Sequence, residues 1–360
     1  MKKRIALTVL AVIMIAMLLA AQIVTVGEAS SLYKGKPPTK TPRLMPGEGG
    51  SSGCGQTPPT AIGQTETLSI VFDSLNRSYN VHLPPSYDPN TPLSLVLNFH
   101  GYGGNPEEQE NVTSLMSEHA DDTGYIVVYP AAYPFDDGDG GFVYTWNDLA
   151  CNNSPGPLGP ICAFSAYSYP QHPCATDECE YCGCQDDVGF VNALLDEVEA
   201  NYCIDTGRVY VTGFSTGAMF VQRVGCALAD RLAAIAPVHG ALHTGYNCAP
   251  STTLPIMEVW GSNDRIVPAD GALSTDGYWY TLVDDVVDLW GASQGCDASA
   301  TPYTTVSDGT RNWTCIQRAN CAAGAEVVSC SWRGPHWWPK NKQGNFGAEA
   351  IWEFFSKHSK

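Results

Sequence analysis

Basic residues are scarce in this chain. Nineteen Lys and Arg stand against thirty-seven Asp and Glu, for a formal net charge of -18 at pH 7. Seven of those nineteen lie in the first fifty residues, where only two Glu oppose them, so the rest of the chain is more acidic than the total. An acidic body repels phosphate backbones and anionic lipid, which excludes nucleic acid and anionic membrane surfaces as partners. Charge of either sign is sparse at 16%, while apolar residues make up 44%, the balance of an ordinary globular protein. No internal repeat is present, and no separate binding module stands beside the main body. At 360 residues the chain can bury a large core, and α/β folds of this length often form one domain.

One long apolar run does occur, residues 5–21, broken only by Thr8 and preceded by Lys2-Lys3-Arg4. With Gly27-Glu28-Ala29 ahead of Ser30, this reads as a secretory signal over residues 1–29. The run is long enough to raise a retained anchor as the rival reading. Cleavage is preferred, because a small-residue site and a linker follow, and the mature protein then has no stable membrane association. Residues 30–61 are rich in Pro, Gly, Ser and Thr and read as that linker, with Cys54 pinning its end to a catalytic domain at 62–356.

Fourteen cysteines agree with an extracellular destination, where thiols at this density oxidise to disulfides. Cys296 with Cys321 and Cys315 with Cys330 are plausible bridges, and Cys151 and Cys162 either close their own loop or pair with the cluster Cys174, Cys179, Cys182 and Cys184. Cys179-x-x-Cys182, with His172 nearby, also has zinc-ligand spacing, but disulfides are favoured and no metal is expected. Four N-x-S/T sequons stand at Asn76, Asn111, Asn152 and Asn312, consistent with a secreted surface. Asp136-Asp137-Gly138-Asp139-Gly140 lacks the spaced ligands of a calcium loop and reads as a solvated turn.

Strand-like and helix-like stretches alternate from residue 68 onward, starting with a hairpin. Residues 93–99, 126–129, 208–212, 232–237, 255–260 and 327–332 read as strands. Residues 187–202, 283–289 and 348–355 read as helices, the first capped by Asp186. The alternation implies an α/β fold with a mostly parallel central sheet and helices on both faces.

The chemistry is carried by Gly213-Phe214-Ser215-Thr216-Gly217, which stands between a strand and a helix. G-x-S-x-G in that context is a nucleophile elbow, whose glycines avoid Cβ clashes in a strained turn. A serine hydroxyl needs a base and an orienting carboxylate, and in this fold they follow in the order Ser, acid, His. Asp264, in the loop after strand 255–260, is the candidate acid, with Asp270 and Asp276 further from the strand end. His336, in the loop after the last strand, is the candidate base. His239 and His243 precede the acid and break the order, although His239 can still line the cleft. The oxyanion hole needs two backbone donors, assigned to the amides of Thr216 and Tyr102, the latter in His100-Gly101-Tyr102-Gly103-Gly104. Trp146, Trp260, Trp337 and Trp338 fall on or beside loops after strands, with Tyr102, and are the candidate substrate-stacking residues.

Five segments occur in one order: Phe99-His100-Gly101, Asp186-Asp187-Val188-Gly189-Phe190, the elbow through Met219, Gly261-Ser262-Asn263-Asp264 and Gly334-Pro335-His336-Trp337-Trp338-Pro339. As a set they resemble the secreted esterase family of polyhydroxybutyrate depolymerases, feruloyl esterases and acetylxylan esterases (carbohydrate esterase family one). The resemblance runs from about Cys54 to Phe355. It departs at Thr216-Gly217-Ala218 and at Pro335, which bears on cleft shape but removes no catalytic atom. It implies an α/β-hydrolase fold with nucleophile Ser215, acid Asp264 and base His336, and neither metal nor organic cofactor. The expected activity is a secreted, extracellular serine esterase acting on plant cell-wall polysaccharide esters, feruloyl first and acetylxylan second. A polyester depolymerase is the alternative, disfavoured by the lack of a binding module. A catalytically silent wall-binding protein is the alternative from another class, and the complete Ser-Asp-His order opposes it. A peptidase on the same fold is a third.

Overall fold

Twelve strands and five helices of eight or more residues carry the fold in the computed structural model, which describes residues 49–151, 153–163, 179 and 181–360. The signal expected at 1–29, the linker as far as residue 48, and His172 and Cys174 lie outside the described residues. A compact unit spans Met45–Lys360.

The strands are β1 Thr65–Phe72, β2 Leu75–His82, β3 Leu93–Phe99, β4 Ile126–Pro130, β5 Pro134–Asp136, β6 Phe142–Tyr144, β7 Ile204–Phe214, β8 Ala234–Val238, β9 Ile256–Gly261, β10 Asp297–Tyr303, β11 Thr314–Ala319 and β12 Val327–Trp332. The helices are α1 Met116–Thr123, α2 Asp187–Asn201, α3 Thr216–Ala227, α4 Val283–Ser293 and α5 Phe346–Ser356. Ten strands form one sheet in the order β1-β2-β4-β3-β7-β8-β9-β12-β11-β10, and β5 pairs with β6 separately. From β4 to β12 every neighbour is parallel. Antiparallel hairpins extend both edges, β1-β2 on one side and β11-β10 on the other.

Buried strands read as continuous apolar runs because both sheet faces are covered. Leu95, Leu97 and Phe99 of β3 and Val209 and Val211 of β7 pack with Phe190 and Leu194 of α2, Phe220 and Val224 of α3, and Val286 and Trp290 of α4. The alternate residues Val96 and Tyr210 face the other way, onto Met116 of α1 and Ile351, Phe354 and Phe355 of α5. Period-two alternation therefore splits one sheet into two cores. The helix caps follow sequence rules: Asp186 accepts from the Gly189 amide at 2.9 Å, and Asn345 from Ala348 at 3.2 Å.

Part of the expected linker is folded. Residues 49–61 belong to the folded body: Ser51 is buried and donates to Tyr202 O at 2.5 Å, the Gly53 amide bonds Glu199 O, and Thr60 bonds the Tyr202 hydroxyl. Cys54 pairs with Cys203, as expected of a pin. Composition marked this stretch as coreless, but it is tied down by backbone and disulfide contacts rather than by its own apolar side chains. Five further disulfides join Cys151–Cys182, Cys162–Cys179, Cys226–Cys248, Cys296–Cys321 and Cys315–Cys330. Cys179 and Cys182, which share zinc spacing, are thus both oxidised to other partners. Among the described residues no helix is long and apolar enough to cross a membrane.

Candidate active site

Strand β7 ends at Phe214, α3 begins at Thr216, and Ser215 between them has φ 58° and ψ -124°. A non-glycine residue there is strained, at a cost of about 1–3 kcal/mol. Neighbouring glycines make it possible. A Cβ on Gly217 would lie 2.4 Å from His100 O and 2.6 Å from Phe99 O, and one on Gly213 would lie 2.9 Å from Gly217 C. The elbow is further pinned by the Ser215 amide donating to Val238 O at 3.0 Å, while Ser215 O accepts from Ala218 and Met219.

Three distant chain segments converge on that hydroxyl. His336 Nε2 lies 2.9 Å from Ser215 Oγ, and His336 Nδ1 lies 2.7 Å from Asp264 Oδ2. The carboxylate demands a donor, so Nδ1 carries the proton and Nε2 is left to accept from Ser215. Asp264 comes from the loop after β9 and His336 from the loop after β12. The two loops are bound together by Ser262 donating to Trp332 O at 2.9 Å and Asn263 donating to Gly334 O at 3.1 Å. Asp264 Oδ1 accepts from the amides of Ile266 at 2.8 Å and Val267 at 2.9 Å. Burial pushes the Asp264 carboxyl up, but hydrogen bonds from His239 and His336 outweigh it and hold the group well below the usual carboxylate range.

His239 is a site member that sequence order passed over. Its Nδ1 lies 2.6 Å from the same Asp264 Oδ2, and its Nε2 accepts from Trp332 Nε1 at 3.1 Å. A positive φ of 57° in the residue after β8 was a signal no apolar pattern could give. Two imidazoles and a carboxylate this close raise the question of a metal ion. On a tetrahedral ion, neighbouring ligand atoms stand about 3.3 Å apart. The observed 2.6 and 2.7 Å are hydrogen-bond distances instead.

The loop after β3 closes the other side. A Cβ on Gly101 would lie 3.2 Å from Ser215 Cβ, tighter than ordinary contact, so glycine eases this close approach of the two backbones. His100 is buried and fixed: Nε2 accepts from the Ala132 amide at 3.1 Å, leaving Nδ1 to donate to Gly101 O at 2.8 Å. Burial holds its pKa down at about 4, against the raising effect of the Gly101 bond. The Gly103 amide donates to Tyr144 O at 2.8 Å. Tyr102 sits inside this braced loop, and Thr216 opens α3, where first-turn amides have no partner within the helix.

The four tryptophans separate. Trp146 is fully buried; it donates to His100 O at 2.8 Å and stacks on Phe220 at 5.0 Å. It presents no face to a ligand, so its expected stacking role is corrected to bracing the loop after β3. Trp338 is likewise buried, bonded to Asn345 Oδ1 at 3.0 Å within the core under α5, and its stacking role is corrected in the same way. Both were placed by their position beside a loop, which does not reveal which way a ring turns. Trp260 is half-buried on β9 with its N–H on Ser329. Trp337, next to His336, is 69% exposed.

The model of the dienelactone hydrolase family matches residues 86–277, more than half of the chain. The chain belongs to the dienelactone hydrolase family. The matched span holds Ser215, His239 and Asp264, and His336 lies beyond it. Feruloyl esterase D of Neurospora crassa is 25% identical over 313 residues, covering 85% of this chain and 90% of that protein. Feruloyl esterase B of Piromyces equi is 25% identical over 266 residues, 72% of this chain; the alignment spans only 42% of that longer protein. An acetyl xylan esterase from Aspergillus awamori superposes with a TM-score of 0.51 at 16% identity, over 82% of this chain and 99% of the other, which shows a shared fold.

Proposed function

We propose that this protein is a secreted serine carboxylic-ester hydrolase that removes feruloyl groups from plant cell-wall xylan. The observation that carries the chemistry is the continuous chain Ser215 Oγ, His336, Asp264 at 2.9 and 2.7 Å, built on a strained elbow. His336 Nε2 takes the Ser215 proton as the oxygen attacks the ester carbonyl. The amides of Tyr102 and Thr216 stabilise the oxyanion, at the positive end of α3. His336 then returns the proton to the leaving alcohol. Water, activated by the same imidazole, frees the acid from Ser215. Asp264 stays ionised and holds the Nδ1–H tautomer throughout.

The feruloyl preference rests on two supports. The Neurospora and Piromyces relatives carry that name. The exposed Trp337 ring beside the base offers a flat apolar surface for a hydroxycinnamoyl group. Export is supported by the signal-like residues 1–29 and by the six disulfides among the described residues.

A panel of methyl ferulate, acetylated xylan, hydroxybutyrate oligomers and p-nitrophenyl esters tests the reading, with an amide as control. Methyl ferulate is expected to give the highest kcat/KM, with no activity in Ser215→Ala. Preference for the oligomers would move the assignment to polyester cleavage. Inactivity on every ester would end it.

A further inference from the structure

His239 holds a place in the site that neither catalysis nor packing alone accounts for. It follows β8, is buried, and is fixed by its amide donating to Val259 O at 2.7 Å. Its backbone is in the left-handed region, with φ 57°, which is uncommon for a residue other than glycine. Room for the ring comes from Gly261, where a Cβ would stand 2.6 Å from His239 Cε1.

The protonation of His239 is settled by its partners. The Trp332 indole can only donate, so the lone pair facing it at 3.1 Å belongs to Nε2 and the proton sits on Nδ1. Charging the ring would require a second proton on Nε2, aimed at an indole N–H. His239 is therefore held neutral, as a fixed donor to Asp264 Oδ2 at 2.6 Å, and burial pushes in the same direction. It is no second base, because it lies on Asp264 rather than on Ser215.

Asp264 thus accepts four hydrogen bonds: two amides on Oδ1, and His239 and His336 on Oδ2. An oxygen already receiving a proton from His239 gives less stabilisation to an imidazolium at His336. We infer that His239 is a positioning residue that, with Trp332 locking its tautomer, fixes Asp264 Oδ2 for His336 and takes up part of the negative charge that this oxygen presents to the base, so that ester cleavage persists to lower pH. This deepens the esterase reading and rests on it for the direction of the rate effect. The titratable groups facing His239 are Asp264 from the loop after β9 and His336 from the loop after β12. Phe214 and Trp332 supply its other ring contacts. Asp264 is felt beyond the trio by the buried Tyr280, Arg311 lies over the Trp332 ring at 5.6 Å, and Arg265 and Arg333 flank the loops with exposed side chains.

The test is the pH dependence of kcat/KM on methyl ferulate and p-nitrophenyl acetate for His239→Leu, His239→Asn and Trp332→Phe. His239→Leu is expected to move the acid limb up by about half a pH unit or more and to lower kcat about tenfold. His239→Asn, whose amide can still donate to Oδ2, should keep the limb within a few tenths of a unit of the parent. Trp332→Phe frees the tautomer of the still-buried His239, weakens its donation to Oδ2, and should move the limb upward by less than His239→Leu does. A limb unmoved in His239→Leu, or moved as far by Asn as by Leu, overturns the inference. A second readout needs neither a change at His239 nor turnover: in Ser215→Ala, low-field imidazole N–H proton resonances should be assignable, by their ring nitrogens, to both His239 and His336. Absence of a low-field resonance from either His239 or His336 refutes the shared oxygen. If the parent cleaves no ester, the functional reading fails, and the resonances still decide the assignment of His239.

Discussion

In the proposed mechanism, Ser215 becomes reactive through what surrounds it more than through its own chemistry. Asp264→Asn leaves the shape of the site but presents an amide where an anion is required. His336 can then turn its proton toward Ser215, and kcat should fall by about four orders of magnitude with little change in Tm. A stable Asp264→Asn variant retaining even a tenth of the activity would count against the assigned acid. Gly217→Ala is expected to fail differently. Its Cβ would press on the carbonyls of His100 and Phe99, both backbone, so expression or Tm should suffer before kinetics can be read. Trp337, exposed beside His336, gives the mildest outcome. Trp337→Ala should raise KM for methyl ferulate several-fold, leave KM for p-nitrophenyl acetate nearly unchanged, and leave Tm within about 1 °C, since surface substitutions rarely cost more than 0.5 kcal/mol. Equal effects on both substrates would show that the ring does not select an aromatic acyl group.

Strand β9 carries an element-scale conflict. Glu258 is buried in the centre of the sheet, and neither of its oxygens has a hydrogen-bond partner among the described residues. Burial alone pushes its carboxyl up to about 8 from the ordinary glutamate value of 4.5. The folded protein therefore holds a proton that the unfolded chain releases above pH 4.5. Stability is expected to fall as pH rises from about 4.5 to 8, then to level off, with a total on the order of a few kcal/mol. Glu258→Gln removes that dependence, so its Tm advantage over the parent should grow between pH 5 and 8. Parallel Tm curves for the two proteins would show that Glu258 is not protonated in the fold. The same scale explains what could and could not be read beforehand. Strands β3, β7, β9 and β12 were legible because burial on both faces leaves mostly apolar stretches, interrupted by single polar residues such as Asn98 and Glu258 at buried positions. Strand β10, Asp-Ala-Ser-Ala-Thr-Pro-Tyr, is exposed along most of its length and has neither run nor alternation. Only its pairing with β11 makes it a strand. Ser215, Asp264 and His336 were legible because chain order and loop position are linear properties. His239, Trp146 and Trp338 were not, because their roles depend on where a ring points once the sheet is built.

Across the whole molecule, distant segments are fixed by covalent ties that composition announced and pairing had to reveal. Cys54–Cys203 closes the longest described loop, 149 residues, and secures residues 49–61 against the start of β7. Loop closure of that size stabilises by about 5 kcal/mol in the chain-entropy account. The double variant Cys54→Ser/Cys203→Ser should thus lose about that much in denaturant unfolding, an upper bound if the unfolded chain retains structure. A loss under about 1 kcal/mol would place the N-terminal arm outside the cooperative unit. The central claim concerns Ser215 itself, an oxygen made nucleophilic by His336 and Asp264. Fluorophosphonate labelling followed by peptide mass spectrometry reads it most directly. The account predicts one modified residue, Ser215, with labelling lost in Ser215→Ala and slowed at least a hundredfold in His336→Ala. Labelling at another residue, or an undiminished rate without the imidazole, would contradict it.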